Sequence, residues 1–419
     1  MNKAEGTGEL PEGWAVKRLV YLSDIQQGVS KGKKIDKAAS INVPYLRVAN
    51  VKDGRLDLSE VKLISINKNE IKKYQLHYQD ILITEGGDSD KLGRGSLWLN
   101  EIEGCIYQNH LFRIRSDEKI LIPYYLYYYL QGFSAKTYFL SCAKQTTGIA
   151  SINSSQVRAT PILLPPLPEQ RAIAACLSAW DAAIAKTTQL IAQKELRKKW
   201  LMQGLLTGKR RVKGFEEAWR EVRLKDVFER VTRKNNEGNT NVVTISAQRG
   251  FIRQDDFFNK IVASEVLDNY FLVLKGEFCY NKSYSNGYPW GATKRLNDFE
   301  NAVVTTLYIC FGIKNKHENS GDFFEQFLEA NLLDKGLTKI AHEGGRAHGL
   351  LNVTPNDFFN LHIKIPTFPE QTAIAHILQA ADREIRLLKA GVDRLKEQKR
   401  GVMQQLLTGK KRLGYEKDI

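Results

Sequence analysis

"LPEQRAIAACLSAWDAAIA" occupies residues 167–185, and "FPEQTAIAHILQAADREIR" occupies residues 368–386. Pro168 and Pro369 stand 201 positions apart, and so do Met202 and Met403, which open "MQGLLTGKRR" and "MQQLLTGKKR". Across 168–209 and 369–410, 18 of 42 positions are identical without a gap. A period near 200 is far too long for a solenoid unit, so a whole domain with its flanking segment is duplicated. A weaker echo lies upstream, where Trp14, Arg18 and Leu19 match Trp219, Arg223 and Leu224 at an offset of 205. Each half therefore reads as a short lead-in, a region of its own, and then the repeated segment. The two intervening regions, roughly 20–160 and 225–362, share little sequence.

Each repeated segment reads as one long helix. Pro168 and Pro369 suit the first helical position, where the missing N–H costs nothing. Glu169 and Glu370 follow where the helix dipole favours an acid. Gly208 and Gly409 mark a left-handed stop, followed by basic residues. About 39 residues between these limits make a rod of roughly 55–60 Å at 1.5 Å per residue. Within it, Leu177, Ile184, Ile191 and Leu205 recur every seven residues, broken at Lys198. Leu378, Ile385, Val392 and Leu406 do the same, broken at Lys399. A heptad seam needs a partner helix. The two helices are expected to satisfy one another; the alternative packs each on its own domain. The pattern does not give their direction.

Both intervening regions mix short β-rich runs ("VPYLRVANV", "DILITEG", "NAVVTTLYICF") with helical patches, and are expected to be α/β globules sharing one fold. Asn153 and Asn352 are expected to occupy equivalent places. The tyrosines at 124–129 read as helix core. Glycine-bearing loops in both regions carry basic, amide and aromatic side chains. Arg and Lys suit guanine edges, Asn and Gln suit adenine edges, and all can hold phosphates. Candidate DNA contacts in the first region are Arg47, Lys91, Arg94, Lys144, Gln145, Thr146, Thr147 and Ser151. In the second they are Gln248, Arg249, Arg253, Lys282, Ser283, Tyr284, Trp290, Lys294, Arg295, Arg346 and His348.

The 419 residues favour two or three units, and 42% hydrophobic with 26% charged residues is the balance of a chain with packed cores. Lys and Arg outnumber Asp and Glu by 62 to 47, a net charge of +15 that suits a polyanionic partner. No leader or membrane span is read from the sequence. Five scattered cysteines without a CxxC pair argue against a disulfide framework or zinc site, and a reducing cytoplasm is the expected setting.

Enzyme signatures fail on inspection. In "HEGGRAH" the histidines fall at 342 and 348, not one helical turn apart. "GLLTGKR" from Gly204 is one residue short of a phosphate loop and lacks the following Ser or Thr. "LPPL" at 164–167 lacks the polar first and aromatic last residue of an amino-methyltransferase motif. No catalytic residue and no metal ligand is proposed from the sequence.

Two copies of "PEQ…IA…L…D…I…LLTGK", each closing a region of its own, resemble the conserved segments of type I restriction–modification specificity subunits, with "TFPEQ" replacing "PLPEQ" in the second copy. The resemblance covers essentially the whole chain. It implies an α+β fold in which two α/β target recognition domains are related by pseudo-twofold symmetry and joined by two long antiparallel coiled-coil helices. The expected layout is a recognition domain over 1–165, a helix over 166–210, a second recognition domain over 211–366 and a second helix over 367–419. It implies a non-catalytic subunit that reads a bipartite, asymmetric site on double-stranded DNA. Its implied partners are two methyltransferase subunits and two restriction–translocase subunits. S-adenosylmethionine, ATP and magnesium would belong to those partners, with none bound here and no membrane involved. The rival reading is a stand-alone bivalent DNA-binding protein.

Overall fold

Four helices and two small sheets are enough to place every functional feature: α1 (Pro123–Gln131), α2 (Leu167–Leu205), α3 (Gly321–Glu329) and α4 (Phe368–Leu407). In the computed structural model, residues 10–30, 39–87, 92–146, 149–257, 267–343 and 351–414 are described, without the side chains of 145, 146, 149, 256, 257, 342 and 343. The chain divides into two compact units. Unit 1 comprises 1–188 with 390–419, and unit 2 comprises 189–389. Each long helix gives one part to either unit.

Unit 1 contains an antiparallel four-stranded sheet in the order Ser23–Gln27, Leu111–Ser116, Ile81–Thr84, Gly95–Leu97. Unit 2 repeats that order with Phe228–Arg230, Ile309–Ile313, Phe278–Asn281 and Ala292–Arg295. The lead-in strand Ala15–Arg18 pairs with Pro161–Leu164, and Arg220–Arg223 pairs with His362–Ile365 in the same antiparallel way. This explains the weak Trp–Arg–Leu echo: Trp14 and Trp219 precede the lead-in strand, Arg18 and Arg223 close it, and Leu19 and Leu224 follow it. Helices α1 and α3 occupy matching places in the two units. Divergent sequences build one framework because the buried runs of the central strands, Ile81–Thr84 and Leu111–Ser116 in unit 1 and Phe278–Asn281 and Ile309–Ile313 in unit 2, are kept while residue identities drift.

The tyrosines of α1 are core: Tyr125, Tyr127, Tyr128 and Tyr129 are buried, and each hydroxyl finds an acceptor. Helix α3 packs Phe323, Phe324 and Phe327 into the core of unit 2. The cap of the short helix Ser154–Ala159 is Asn153, but its counterpart before Pro355–Phe359 is Thr354. Asn352 instead lies in the strand Leu351–Asn352, so the equivalence expected from the sequence was two residues out of register. The 201-residue offset places Thr354 opposite Asn153.

In each unit the two long helices run antiparallel. In unit 1, Lys399 Nζ lies 2.6 Å from Asp181 Oδ1, and Arg412 lies 2.7 Å from Glu169. In unit 2, Lys198 lies 2.5 Å from Asp382, Lys194 lies 2.5 Å from Glu384, and Arg211 lies 2.7 Å from Glu370. Residue numbers rise on one helix as they fall on the other. The lysines that break the heptad rows are therefore ion-pair partners, each facing an aspartate 201 positions from its counterpart. Leu177 and Leu406 join the core of unit 1, and Leu205 and Leu378 join that of unit 2. Ile385, Val392 and Ile191 are buried, while Ile184 is half-buried. Each fully buried leucine contributes about 1.5–3 kcal/mol.

The first turn of each long helix is a clamp. Glu169 is wholly buried, accepts from Trp14 Nε1 at 3.0 Å and is gripped by Arg412 through Nε and Nη2. Glu370 is held likewise by Trp219 and Arg211. Gln170 accepts from the Ile122 amide, just before α1, and donates to the Ile120 and Pro165 carbonyls. Gln371 accepts from the Ser320 amide at the start of α3. At the other helix ends Gly208 and Gly409 take φ of +70° and +73°, conformations that favour glycine, against Trp219 and Trp14 respectively. The "LLTGK" motif is thus a helix stop, not a phosphate loop.

Removing one partner of a buried ion pair costs roughly 3–5 kcal/mol, less where the cation is partly solvated, as Arg412 is. Glu169→Ala is expected to lower unfolding stability by about 2–4 kcal/mol in a denaturant titration, with Glu169→Gln intermediate. A change below about 0.5 kcal/mol would contradict the clamp.

Candidate nucleic-acid interface

In unit 1 the two loops singled out from the sequence meet. Gly86–Gly87, which opens "EGGDSDKLGRG", pairs with Ile149–Ser151, which pairs in turn with Lys144–Thr146. The order of this small sheet is fixed by backbone bonds, with Ala150 opposite Gly87 and Ser151 opposite Gly86. Glycine at 86 allows the close approach: an added Cβ would lie 3.0 Å from the Ala150 carbonyl. Lys144 is exposed and Ser151 half-buried. Arg94 is half-buried, and its carbonyl accepts from the Thr84 amide. Among the described residues, neither the Lys144 ammonium nor the Arg94 guanidinium has a hydrogen-bond or ion-pair partner. Gln145 and Thr146 belong to the edge strand, with only their backbone described. Lys91 and Thr147 lie outside the described residues.

Arg47 is engaged locally. Its guanidinium bonds Glu60 at 3.2 Å and the Glu60 carbonyl at 3.4 Å, while its amide donates to Asn50. It braces a turn. Composition offers no sign of His110, whose Nδ1 lies 2.6 Å from Glu85, the residue before the glycine pair Gly86–Gly87. His110 is more than half exposed, and its carbonyl accepts from the Glu85 amide.

Unit 2 gathers its loops similarly. The hairpin of Val243–Ser246 and Gly250–Arg253 carries Gln248 and Arg249 exposed at its tip, with the Arg249 amide bonded to Ser246 Oγ. Arg253 is exposed and 4.0 Å from Asp255. The 282–291 loop is tied to that hairpin by Asn281 Nδ2 on the Ile245 carbonyl, and to Leu351–Asn352 by the Leu351 amide on the Lys282 carbonyl. The hairpin, the 282–291 loop and the strand Leu351–Asn352 therefore meet. Tyr284 is well exposed, Ser283 half-buried with its amide on Asn281 Oδ1, and Trp290 half-buried with its carbonyl accepting from Tyr280. Burial pushes the Lys282 ammonium below the usual lysine range. Arg346 and His348 lie outside the described residues.

Two expectations fail here. Lys294 is buried, 2.6 Å from Glu329 and over the Tyr288 ring. Arg295 pairs with Asp322 at 2.6 Å and with Glu325 at 3.2 Å. Both cations are neutralised by carboxylates on α3 and hold that helix to the sheet. Their motif reads as basic in the sequence because the neutralising acids come 27 to 35 residues later.

The resulting arrangement in each unit is a cluster of short hairpins and loops next to the sheet, with cations, amides and, in unit 2, a tyrosine exposed on them. Such a surface can hold phosphates and present donors and acceptors to base edges. Among the described residues, no group of side chains is placed to hold a metal, and no helix is long and apolar enough to cross a membrane.

The family model for the type I restriction modification DNA specificity domain matches residues 11–195 and again 216–397. A Methanocaldococcus jannaschii protein described provisionally as the type I restriction enzyme MjaX specificity subunit is 26% identical, covering 97% of this chain and 95% of its own. The type I restriction enzyme MjaVIII specificity subunit of the same organism is 23% identical, with 96% and 94% covered. The crystal structure of the HsdS subunit from Thermoanaerobacter tengcongensis shares the fold, with a TM-score of 0.53, 17% identity and 97% and 99% of the two chains covered. One match per repeat, reaching from each lead-in strand into each long helix, leaves one assignment: the chain belongs to the type I restriction–modification DNA specificity family and is a DNA-recognition subunit.

Proposed function

We propose that the chain reads a bipartite, asymmetric site on double-stranded DNA, one half-site per unit, through the loop cluster at the edge of each sheet. The observation that carries this reading is the same framework built twice with different side chains on the same loops. Lys144, Arg94 and Ser151 would serve one half-site; Gln248, Arg249, Lys282 and Tyr284 would serve the other. The two antiparallel long helices would act as a coiled-coil spacer. The 201-residue offset between Glu169 and Glu370, Gln170 and Gln371, and Arg211 and Arg412 supports a pseudo-twofold relation. A rod of roughly 55–60 Å spans at most ~16–17 base pairs at 3.4 Å each, an upper bound on the unspecified gap.

The chemistry would fall to other chains: two methyltransferase subunits and two restriction–translocase subunits, which would bring S-adenosylmethionine, ATP and magnesium. This chain would bind none of these and act in the cytoplasm. No observation favours a stand-alone bivalent DNA-binding protein.

Replacing residues 20–160 by the first region of another family member is expected to change one half-site alone when the methylome is sequenced; a change in both, or in neither, contradicts one reader per unit. Lys144→Ala is expected to weaken binding of the assembled complex and reduce the slope of log affinity against log salt by about 0.9, the loss of one phosphate contact. An unchanged slope would remove Lys144 from the interface.

A further inference from the structure

In unit 1 the side chains of His110 and Glu85 pair where the main sheet joins the small sheet that carries Lys144. His110 sits in the turn Gln108–Leu111, closed by the Leu111 amide on the Gln108 carbonyl at 2.9 Å. That turn is pinned by the Gln108 amide on the Leu46 carbonyl and by the Asn109 amide on the Val29 carbonyl. The Glu85 amide donates to the His110 carbonyl at 3.0 Å, and the Glu85 carbonyl accepts from the Ile152 amide at 2.8 Å. Backbone bonds therefore carry the small sheet from Lys144 through Ser151 and Gly86–Gly87 across to His110. Three strand spacings separate its ends, about 14 Å, or ~4 base pairs of DNA rise.

The side-chain contact is not what holds the turn, since the backbone already does. The imidazole is 56% and the carboxylate 28% exposed, and a pair so open to water adds little stability. It fixes the ring instead. A carboxylate only accepts, so Nδ1 carries the proton and Nε2 of the neutral ring is left as an acceptor. Among the described residues Nε2 has no partner. Unit 2 changes both side chains at the matching place. Its core-facing pairs Phe278–Phe311 and Tyr280–Ile309 correspond to Ile81–Ile114 and Ile83–Phe112 of unit 1. Two residues beyond the second pair stand Glu85 and His110 in unit 1, but Lys282 and Leu307 in unit 2, with Leu307 also 56% exposed. One framework position carrying exposed side chains of different chemistry is what two unlike half-sites demand.

We infer that His110 reads one base of the first half-site through Nε2, and that Glu85 is the positioning residue that sets its tautomer. The inference rests on the DNA-reading role proposed above. In the major groove adenine N6 and cytosine N4 present amino donors, whereas guanine and thymine present none. An acceptor at Nε2 therefore selects adenine or cytosine. The Glu85 carboxylate opposes a phosphate at this place, which leaves a base edge as the contact.

The test measures binding of the assembled complex to duplexes carrying its methylated motif, with one exocyclic amino group of the first half-site deleted at a time. Purine replaces adenine, and 2-pyrimidinone replaces cytosine. The wild type is expected to lose at least about fivefold in affinity at one position, and the analogue responsible tells adenine from cytosine. His110→Ala is expected to abolish that difference while leaving the salt slope, the second half-site and the melting curve unchanged. Glu85→Gln, whose amide can donate to Nδ1 and so shift the proton to Nε2, is expected to shrink the same difference with His110 still present. His110→Gln, which offers an acceptor at the reach of Nε2, is expected to restore part of it. A His110→Ala complex that discriminates as the wild type does at every first-half-site position overturns the inference and leaves the DNA reading intact. So does a deficit that falls on guanine or thymine, or one that lowers the salt slope. A folded wild-type complex with no two-block preference overturns the DNA reading, and this inference with it.

Discussion

A carboxylate buried in the first turn of each long helix holds the fold closed. Glu169 has no solvent exposure, and its two oxygens are taken by Trp14 from one end of the sequence and Arg412 from the other. An ionised group in such a place is tolerable only with its partners present. The same carboxylate therefore fixes the start of α2, the end of α4 and the lead-in strand together. Glu370, Trp219 and Arg211 repeat the device in unit 2, where Glu370 is almost as buried. Adjacent Gln170 and Gln371 extend the grip to the segment preceding α1 or α3. Three consecutive residues, Pro-Glu-Gln, start a helix, lock its partner and orient the sheet domain.

From this geometry the distribution of variation follows. Glu169, Gln170, Asp181 and Lys198 each have an identical or equivalent residue 201 positions on, whereas the ion pair Lys194–Glu384 and the side chains of the hairpin loops do not. Asp181 accepts from Lys399 and Tyr128, and Asp382 from Lys198 and Gln326, so even the link to the sheet domain is matched in place while its donor changes from phenol to amide. A framework fixed at such points leaves its loops free to differ, which a chain serving two unlike half-sites requires.

Much of this was legible in the sequence. The gapless repeat gave the helices, Pro168 and Gly208 gave the limits of the first, and the heptad rows gave a buried face. Direction was not legible, because a heptad row has no polarity; it is carried by ion pairs such as Lys399 with Asp181, which the rows registered only as interruptions. Glu169 read as a dipole partner, because Trp14 and Arg412 are 155 and 243 residues away. The loops were found by composition, which cannot tell a free cation from a neutralised one: Lys144 and Lys294 look alike until Glu329 is placed beside the second. Asn352 was matched to Asn153 by residue type where the offset pointed to Thr354.

The central claim is that two unlike readers are held at a fixed separation by one helix pair. Sequencing the methylome of a host carrying this chain with its methyltransferase measures that directly. The account requires one asymmetric motif of two specified blocks separated by a single unspecified gap, constant at every modified site and no longer than ~16–17 base pairs. A continuous motif, a palindrome, or a gap that varies from site to site would contradict it.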